Sequence, residues 1–588
     1  MAYSLRRVDL TAGRASRLAG NVTLAVATGA GSVTQDPLTF AIQFARRFPG
    51  ARSTLKTMSR SLAGVDRDLA QTWLSGDLVA VRRELTALTR RRALSRLAAE
   101  IAQAAGLPEL VADDPRIRAT TRARAAWQLG EASRAIAMLA DEHPGSRLHR
   151  VLRSELALMT PGTRLRWSPP PVAATSPTKT TGVLHLLTNS FPHTQSGYTV
   201  RSHAVLRAQR SAGLAPVAMT RVGYPVIVGG LDAAALDVVD GIEYHRALPR
   251  RLAATPDGRL AQQASAMLSL STRVRPHVLQ TTTNYPNAVV VREVAEHLRL
   301  PWAYEVRGML EQTWVASLGS DEARARAGAS ERFRLIRERE AELASTADAV
   351  FTLSDGMQDD LAARGVERAR IHVAPNGVES ALLERTPAEP TDARASLGLP
   401  RDGFWVGSAS SLVDYEGFDV LLEAVAITRA DGHDVRVLLI GDGTARKGLE
   451  SQAAALHLGG VAHFTGRVPR DAVTKYREAL DLVIVPRLDR EVTRSVAPLK
   501  PVEAMASGRP LLVSALPPLL EIVGPALAAR GASVPPGDAR ALSKAIARMR
   551  SDERSRLEMT ALGEARASSR TWDALGHVYA GVLLALGK

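Results

Sequence analysis

Cysteine is absent from all 588 residues. Disulfides, thiolate nucleophiles and cysteine-held metals are excluded together, and a cytoplasmic setting is expected. Aromatic residues make up only 4% of the chain, which leaves little to stack on bases, so no nucleic-acid partner is expected. No uncharged apolar run reaches the ~18 residues that suggest a membrane span. The run Val22–Ala30 is short, broken by glycine and lacks a cleavage pattern, so no signal peptide is expected. Lysine is also scarce, with 7 lysines against 68 arginines. In so biased a chain a lysine stands out, and it suits a point charge on phosphate rather than planar bidentate recognition.

What is present describes a soluble globular chain. It is 45% hydrophobic and 23% charged, long enough for three or four domains. The net charge is +15, and residues 1–178 alone carry +12, from 26 Lys+Arg and 14 Asp+Glu. A solvated arginine-rich face accounts for this excess. So does a peripheral contact of residues 1–178 with an anionic membrane at the inner face of the cell, or with an acidic protein partner, at about 1 kcal/mol per basic group near anionic lipid.

The chain is organised around residues 481–524, DLVIVPRLDREVTRSVAPLKPVEAMASGRPLLVSALPPLLEIVG. Leu482–Pro486 reads as a strand and 487–498 as a polar loop. A helix follows from Lys500 to Ser507 with proline at its entry, and Gly508 stops it. Pro510–Ser514 is the next strand. Strand–helix–strand is the unit of a parallel sheet, whose ligands sit beyond the carboxyl ends of the strands. Lys500 at a helix N-terminus suits a phosphate, and Glu503 one turn on can accept hydrogen bonds from hydroxyls. Phosphate plus diol describes a nucleotide sugar.

Five segments are expected in chain order. Residues 1–160 form a basic helical extension. Within it AQTWLSGDLVAVRRELTAL (70–88) resembles RAAWQLGEASRAIAMLADEHP (124–144), with Trp73 and Trp127, and Gly76 and Gly130, at equal offsets. That spacing suggests a degenerate helical-hairpin repeat, although it is not the tetratricopeptide period. Residues 161–181 are Pro/Ser/Thr-rich and read as a linker. Residues 182–390 and 391–565 each alternate strands with helices, as a doubly wound parallel sheet does. The strands of the first series are placed at 183–187, 216–220, 241–246, 278–282, 302–306, 349–353 and 371–374. Residues 566–588 form a last helix, expected to cross back to the first α/β domain.

Four segments are similar, in order, to the family-4 glycosyltransferases of the GT-B fold. They are VFTLSDGMQDDLAARGVERARIHVAPNGVE (350–379), VRVLLIGDGTARKGLE (435–450), VAHFTGRVPRDAVTKYREALDLVIVP (461–486) and PVEAMASGRPLLVSALPPLLEIV (501–523). The resemblance covers residues 183–588. It implies two tandem Rossmann-like domains and retaining transfer of a hexose from a nucleotide sugar to a glycan or lipid-linked acceptor, in surface polysaccharide or glycoconjugate synthesis. It also implies no metal and no cofactor beyond the nucleotide-sugar substrate.

The resemblance carries over to individual residues. Glu503 matches the ribose-binding glutamate. The partner glutamate expected eight residues earlier is replaced by Ser495, and the usual basic pair of the first strand–loop is replaced by SASSLVDYEGFD (408–419). A subgroup with Tyr-Glu-Gly here and Pro-Leu-Lys before the glutamate looks similar. In it Lys500, Arg487 and Arg494 would neutralise the diphosphate, with Pro498, Leu499, Glu416 and Gly417 beside them. Gly441, Asp442, Gly443, Val468 and Glu521 complete the expected donor set, although Glu521 reads equally as a carboxylate at a helix N-terminus. On the acceptor side the candidates are Asn189, His193, Ser196, Gly197, Glu305 and Arg307. His203 is a further candidate, and a mutual Glu305–Arg307 salt bridge is the structural alternative. Two other readings stay open: a GT-B scaffold that binds without transferring, and an epimerase or phosphorylase on the same fold.

Overall fold

The computed structural model describes residues 5–8, 13–33, 42, 64–90, 93–169, 181–495 and 497–587. Its α/β part contains two sheets. The first has nine strands: β1 (Leu5–Val8), β2 (Gly182–Leu187), β3 (Ala215–Thr220), β4 (Leu236–Val239), β5 (Ile242–His245), β6 (Val278–Thr282), β7 (Trp302–Glu305), β8 (Ala349–Thr352) and β9 (Ile371–Val373). They lie in the order β1-β4-β5-β3-β2-β6-β7-β8-β9. The second has six: β10 (Phe404–Ala409), β11 (Val435–Ile440), β12 (Ala462–Gly466), β13 (Leu482–Val485), β14 (Leu511–Ser514) and β15 (Ser533–Val534), in the order β12-β11-β10-β13-β14-β15. The second sheet is parallel throughout, as are β3-β2-β6-β7-β8-β9 in the first. Both are covered by helices, so the inner strands are buried on both faces. β6, β7, β8, β13 and β14 are buried along their whole length.

The first sheet departs from the expected series at one edge. The strand expected at 241–246 is the second arm of a hairpin: β4 runs antiparallel to β5, and β1 runs antiparallel to β4. Asp240 and Gly241 both have positive φ in the turn. Asp-Gly between apolar runs is a strong hairpin signal and could have revealed β4. β1 also adds a strand to the start of the extension, where no strand was expected; its pairing partner lies more than two hundred residues away in sequence.

Among the described residues the helix Arg14–Val33 and the helices between residues 64 and 159 make up the rest of the extension. The two similar segments adopt the same local form. Gly64–Ser75 and Leu78–Thr89 flank Gly76, and Ala119–Gln128 and Ala132–Glu142 flank Gly130. Both glycines have φ of 84°, a left-handed conformation that costs glycine least. Trp73 and Trp127 are buried at equivalent places. The extension docks on the first α/β domain. The Arg332 guanidinium lies over the rings of both Trp127 and Trp314, and a Cβ on Gly130 would meet Ser330 Oγ at 2.0 Å. Leu318, Ala323 and Ala327 share a core with Leu85, Ile101 and Val111 of the extension. A hydrogen bond also reaches the second domain, where Lys447 Nζ donates to the Ser75 carbonyl at 2.7 Å.

Part of the segment expected to be a linker is packed. Leu165 is buried, Arg164 pairs with Glu293 and Glu296, and the Trp167 indole donates to Ser265. Residues 170–180 lie outside the described residues. The final helix, Trp572–Leu586, lies along the Gly197–Ser211 helix, with Gly576 against the Ala208 carbonyl. Trp572, Leu575, Tyr579 and Leu583 share a core with Val183, Val205, Val278 and Phe351. The helix Trp572–Leu586 therefore crosses back from the second domain to the first.

Candidate functional site

The two sheets face one another across a cleft of about 1900 Å³. On the first domain its wall is the loop after β2, with Pro192, His193, Gln195, Ser196 and Gly197. On the second it is the loops after β10, β11 and β12, with Ser410, Ser411, Gly441, Asp442, Arg467 and Val468, and the entry of the 500s helix, with Leu499 and Glu503. All these lie beyond the carboxyl ends of parallel strands, where doubly wound sheets hold ligands.

Glu503 reaches the cleft from the short helix Lys500–Ala506. Its Oε2 accepts from Arg477 at 2.9 Å, and Arg477 also donates to Ser507 Oγ at 3.0 Å. The Arg477 side chain is almost wholly buried, whereas that of Glu503 keeps 35% of its exposure. The carboxylate is thus braced from behind and open in front. Arg477 is absent from the expected set. It lies on the helix Arg470–Glu478, before β13, and only tertiary packing brings it to Glu503.

Lys500 and Arg487 do not line the cleft. Lys500 Nζ lies 2.6 Å from Glu416 Oε2, and Arg487 holds both Glu416 oxygens, at 3.1 and 3.3 Å. Burial pushes the Glu416 carboxyl up, but the Lys500 and Arg487 charges outweigh it and bring it to about 2. Burial, reinforced by Arg487, pulls the Lys500 ammonium down to about 8 against the attraction of Glu416. The cluster keeps one net positive charge behind the cleft wall. Arg467, by contrast, is exposed in the cleft and makes no ion pair with any described residue. It sits in the GRVP stretch beside Val468 and is absent from the expected donor set.

The glycines divide into two kinds. A Cβ on Gly441 would lie 1.9 Å from the Ser410 carbonyl oxygen, one on Gly443 2.1 Å from that of Leu412, and one on Gly417 1.9 Å from that of Pro486. These three are required by the protein's own backbone. A Cβ on Gly197 meets nothing. Ser196 caps the helix that begins there: its side chain accepts from Thr199 N, and its own backbone N–H donates to Thr199 Oγ1 at 2.8 Å.

Other candidates are engaged elsewhere. Arg494 is exposed and donates to Asp489 at 2.8 Å. Glu521 accepts from the backbone of Asp355 at 3.1 Å and of Gly356, at the N-terminus of the Asp355–Ala363 helix. It therefore ties the second domain to the first as a helix-terminal carboxylate. Glu305 is fully buried between Arg307 and Arg201, at 2.8 Å to each, and also accepts from the Tyr579 hydroxyl at 3.0 Å. Burial raises its carboxyl, but the Arg307 and Arg201 charges outweigh that and hold it at about 2. This is the salt-bridge alternative, extended to a network that anchors the last helix. Asn189 and Pro498 do not line the cleft. The Asn189 Oδ1 is buried without a hydrogen-bond partner among the described residues.

Two α/β domains with a ligand cleft between the carboxyl edges of their sheets define a GT-B fold. Residues 196–377 match the family model of the glycosyl transferase 4-like domain, and residues 390–566 that of glycosyl transferases group 1. The chain belongs to the family-4 glycosyltransferases of the GT-B fold. It is 31% identical to a 2-deoxystreptamine glucosyltransferase of Streptomyces kanamyceticus, over 40% of this chain and 59% of that protein. It is 26% identical to a D-inositol 3-phosphate glycosyltransferase of Streptomyces griseus, over 38% and 47%. The chain thus spans about half the length of these curated relatives. Among solved structures it is similar to a sucrose-phosphate synthase of Thermosynechococcus elongatus, with a TM-score of 0.53, 20% identity, and 68% of this chain and 97% of that one covered. Anabaena HepE, solved with UDP and glucose, gives a TM-score of 0.52 at 18% identity, with 68% and 99% covered. At such identities these two show the fold alone. Among the described residues no helix is long and apolar enough to cross a membrane.

Proposed function

We propose that the chain is a glycosyltransferase, which binds a nucleotide sugar on the second domain and passes the sugar to an acceptor on the first. The observation that carries this reading is the Glu503 carboxylate, braced by Arg477 at 2.9 Å and left 35% exposed in the cleft. A carboxylate so placed can accept from two neighbouring ribose hydroxyls, at roughly 1.5–3 kcal/mol per charged hydrogen bond. Gly197 on the facing wall has room for a substrate rather than for its own chain.

The leaving group is a nucleoside diphosphate, so stabilising developing negative charge is the main catalytic task. Arg467 supplies a positive charge inside the cleft. The Lys500–Arg487–Glu416 cluster supplies one net charge from behind the wall, and a diphosphate that competes with Glu416 would engage Lys500 directly. Hexosyl transfer with retention, without a metal ion and to a glycan or lipid-linked acceptor of surface polysaccharide, is the finer reading, supported by the family resemblance. The relatives named for 2-deoxystreptamine and D-inositol 3-phosphate extend the acceptor class to small hydroxyl-bearing rings. Docking of residues 1–178 on anionic membrane is part of the same proposal. Vesicle binding that weakens with salt is the expected result, and salt-insensitive binding, or none, leaves the extension as a solvated face.

Thermal shift with UDP-, GDP- and dTDP-sugars, beside Glu503→Ala, tests the donor site. One nucleotide class should stabilise the wild type and not the variant. A second reading, a scaffold that binds without transferring, is favoured by one observation: of the three expected phosphate-binding cations, Lys500 and Arg487 are held by Glu416 and Arg494 by Asp489. Turnover of the bound nucleotide sugar by the purified protein rejects it.

A further inference from the structure

The stretch after β13 belongs to the second domain in sequence, yet the first domain fastens it. Its short helix, Glu491–Ser495, packs on the Pro517–Ala529 helix of its own domain and on the Leu310–Ala316 helix of the first. Gln312 Nε2 donates to Glu491 Oε1 at 3.1 Å. An ionised carboxylate only accepts, so the amide turns its nitrogen to Glu491. Further on, the Ala497 carbonyl accepts from Asn376 Nδ2 at 2.9 Å. Leu499, which lines the cleft, packs against the core that contains Ala374 and Trp572. The stretch runs straight into the Lys500–Ala506 helix, so its placement sets the entry of the helix that carries Glu503.

The Leu310–Ala316 helix is held in turn by the helical extension. Trp314 and Val315 pack against the core around Leu85, Ile101 and Val111. The Arg332 guanidinium lies 4.7 Å from the Trp314 ring centre and 5.5 Å from that of Trp127 in the extension. Just beyond the helix, Gly319 N donates to the Gly106 carbonyl at 2.9 Å, and the Ser320 hydroxyl donates to Glu109 at 2.6 Å. Within the first domain Glu311 pairs with Arg364 at 2.9 Å, with both side chains buried. One short helix is thus gripped on one side by the extension and meets the second domain on the other. No residue of the extension lines the cleft.

We propose that the helical extension positions the donor site. It holds the Leu310–Ala316 helix in place, and Gln312 passes that placement to Glu491 and so to the stretch that leads into Lys500 and Glu503. This rests on the transferase reading, in which that stretch meets the nucleotide sugar. Gln312 and Glu491 are positioning residues, and neither lines the cleft. A site whose parts are fixed before the ligand arrives binds more tightly, because less ordering remains to be done on binding.

Three substitutions test this without touching the cleft wall. Gln312→Ala and Glu491→Ala each remove the bond between the domains. Gly130→Ala, in the extension, places a methyl group 2.7 Å from Trp314 Cη2 and 2.0 Å from Ser330 Oγ. With the nucleotide sugar selected by thermal shift, the donor Kd from calorimetry should rise about fivefold or more in each variant. The Gln312→Ala/Glu491→Ala double variant should lose no more than either single one, because both remove the same bond. Without nucleotide sugar, amide exchange across residues 487–499 should quicken in all three variants, while β13 and β14 exchange as in the wild type. A donor Kd within twofold of the wild type in Gln312→Ala and Gly130→Ala, or additive losses in the double variant, makes the extension a passive attachment and overturns the proposal. Unchanged exchange at 487–499 overturns it as well. Should Gly130→Ala fail to fold, the Gln312 and Glu491 variants decide alone. In all these outcomes a wild type that binds and turns over the nucleotide sugar leaves the transferase reading standing. A wild type that binds none sinks that reading, and this inference with it.

Discussion

Each domain contains a carboxylate held by two cations, and the two clusters behave differently. In the first domain Glu305 sits between Arg201 and Arg307 with no exposure at all. Arg201 spends its remaining donors on the carbonyls of Ala374 and Pro375 and on Asn376 Oδ1. Every partner there belongs to the fold, and the Tyr579 hydroxyl ties in the last helix. In the second domain Glu416 is held by Arg487 and Lys500, and the Lys500 side chain keeps 18% of its exposure. One cation here is a lysine, pulled toward neutrality by burial and able to exchange its partner. A carboxylate locked without exposure between two buried guanidinium groups is architecture. A buried lysine beside a ligand cleft keeps a charge that a ligand can claim.

The largest expected effect breaks the first cluster. Glu305→Ala leaves two buried guanidinium groups without their carboxylate and should cost about 3–5 kcal/mol of unfolding free energy, read by denaturant titration. A loss below about 1 kcal/mol would show that the pair is not the anchor described.

Glu416→Gln sharpens the contrast, with an expected loss of about 1–3 kcal/mol. The pH dependence has a definite sign. The folded Glu416 carboxyl lies near 2 against an ordinary 4.5. Its contribution is therefore full above about pH 4.5 and is lost as pH falls toward 2. The difference in stability between wild type and Glu416→Gln should shrink across that window, and a constant difference would contradict the assignment. The variant should also gain more thermal stability from a nucleoside diphosphate than the wild type does, because its two cations then have no rival partner.

Lys500→Arg tests exchangeability. The folded Lys500 ammonium lies near 8. If it meets the diphosphate, donor affinity should fall as pH rises through about 8, by at most ~10-fold per pH unit, and Lys500→Arg should abolish the fall. Calorimetric titration at pH 7, 8 and 9 reads this directly. A pH-independent wild type would leave Lys500 as permanently structural as Arg201.

The smallest effect in stability separates the glycines on the same principle. Gly197→Ala should leave the unfolding midpoint unchanged or slightly higher, since alanine favours a helix by roughly 0.5–1 kcal/mol, while substrate binding weakens. Gly441→Ala should lower the midpoint, because its Cβ would sit 1.9 Å from the Ser410 oxygen.

Much of the fold was legible because its determinants are local. Apolar β-branched runs such as Val435–Ile440 and Leu482–Val485, bounded by glycine or proline, mark buried parallel strands wherever they stand. Gly76 and Gly130 mark two helical turns for a local reason too, the positive φ of both. The site was only partly legible. Glu503, Val468, Leu499, Gly441, Asp442, His193, Ser196 and Gly197 come together in one cleft. Arg494, Glu521, Glu305 and Arg307 are engaged elsewhere, because charge and motif position say nothing about which partner a long side chain finds.

By itself the sequence determined the alternation of strands and helices, the helical extension, and the presence of a glutamate and a lysine at the entry of one short helix. Those follow from periodicity and from backbone preferences acting within a few residues. Only the tertiary structure decided that Lys500 turns to Glu416, that Arg477 braces Glu503, and that Gln312 reaches Glu491. Each of those is a pairing of charges or hydrogen-bonding groups far apart in the chain. Burial decides such pairings, because a charge removed from water must take whatever partner the packed fold leaves within reach.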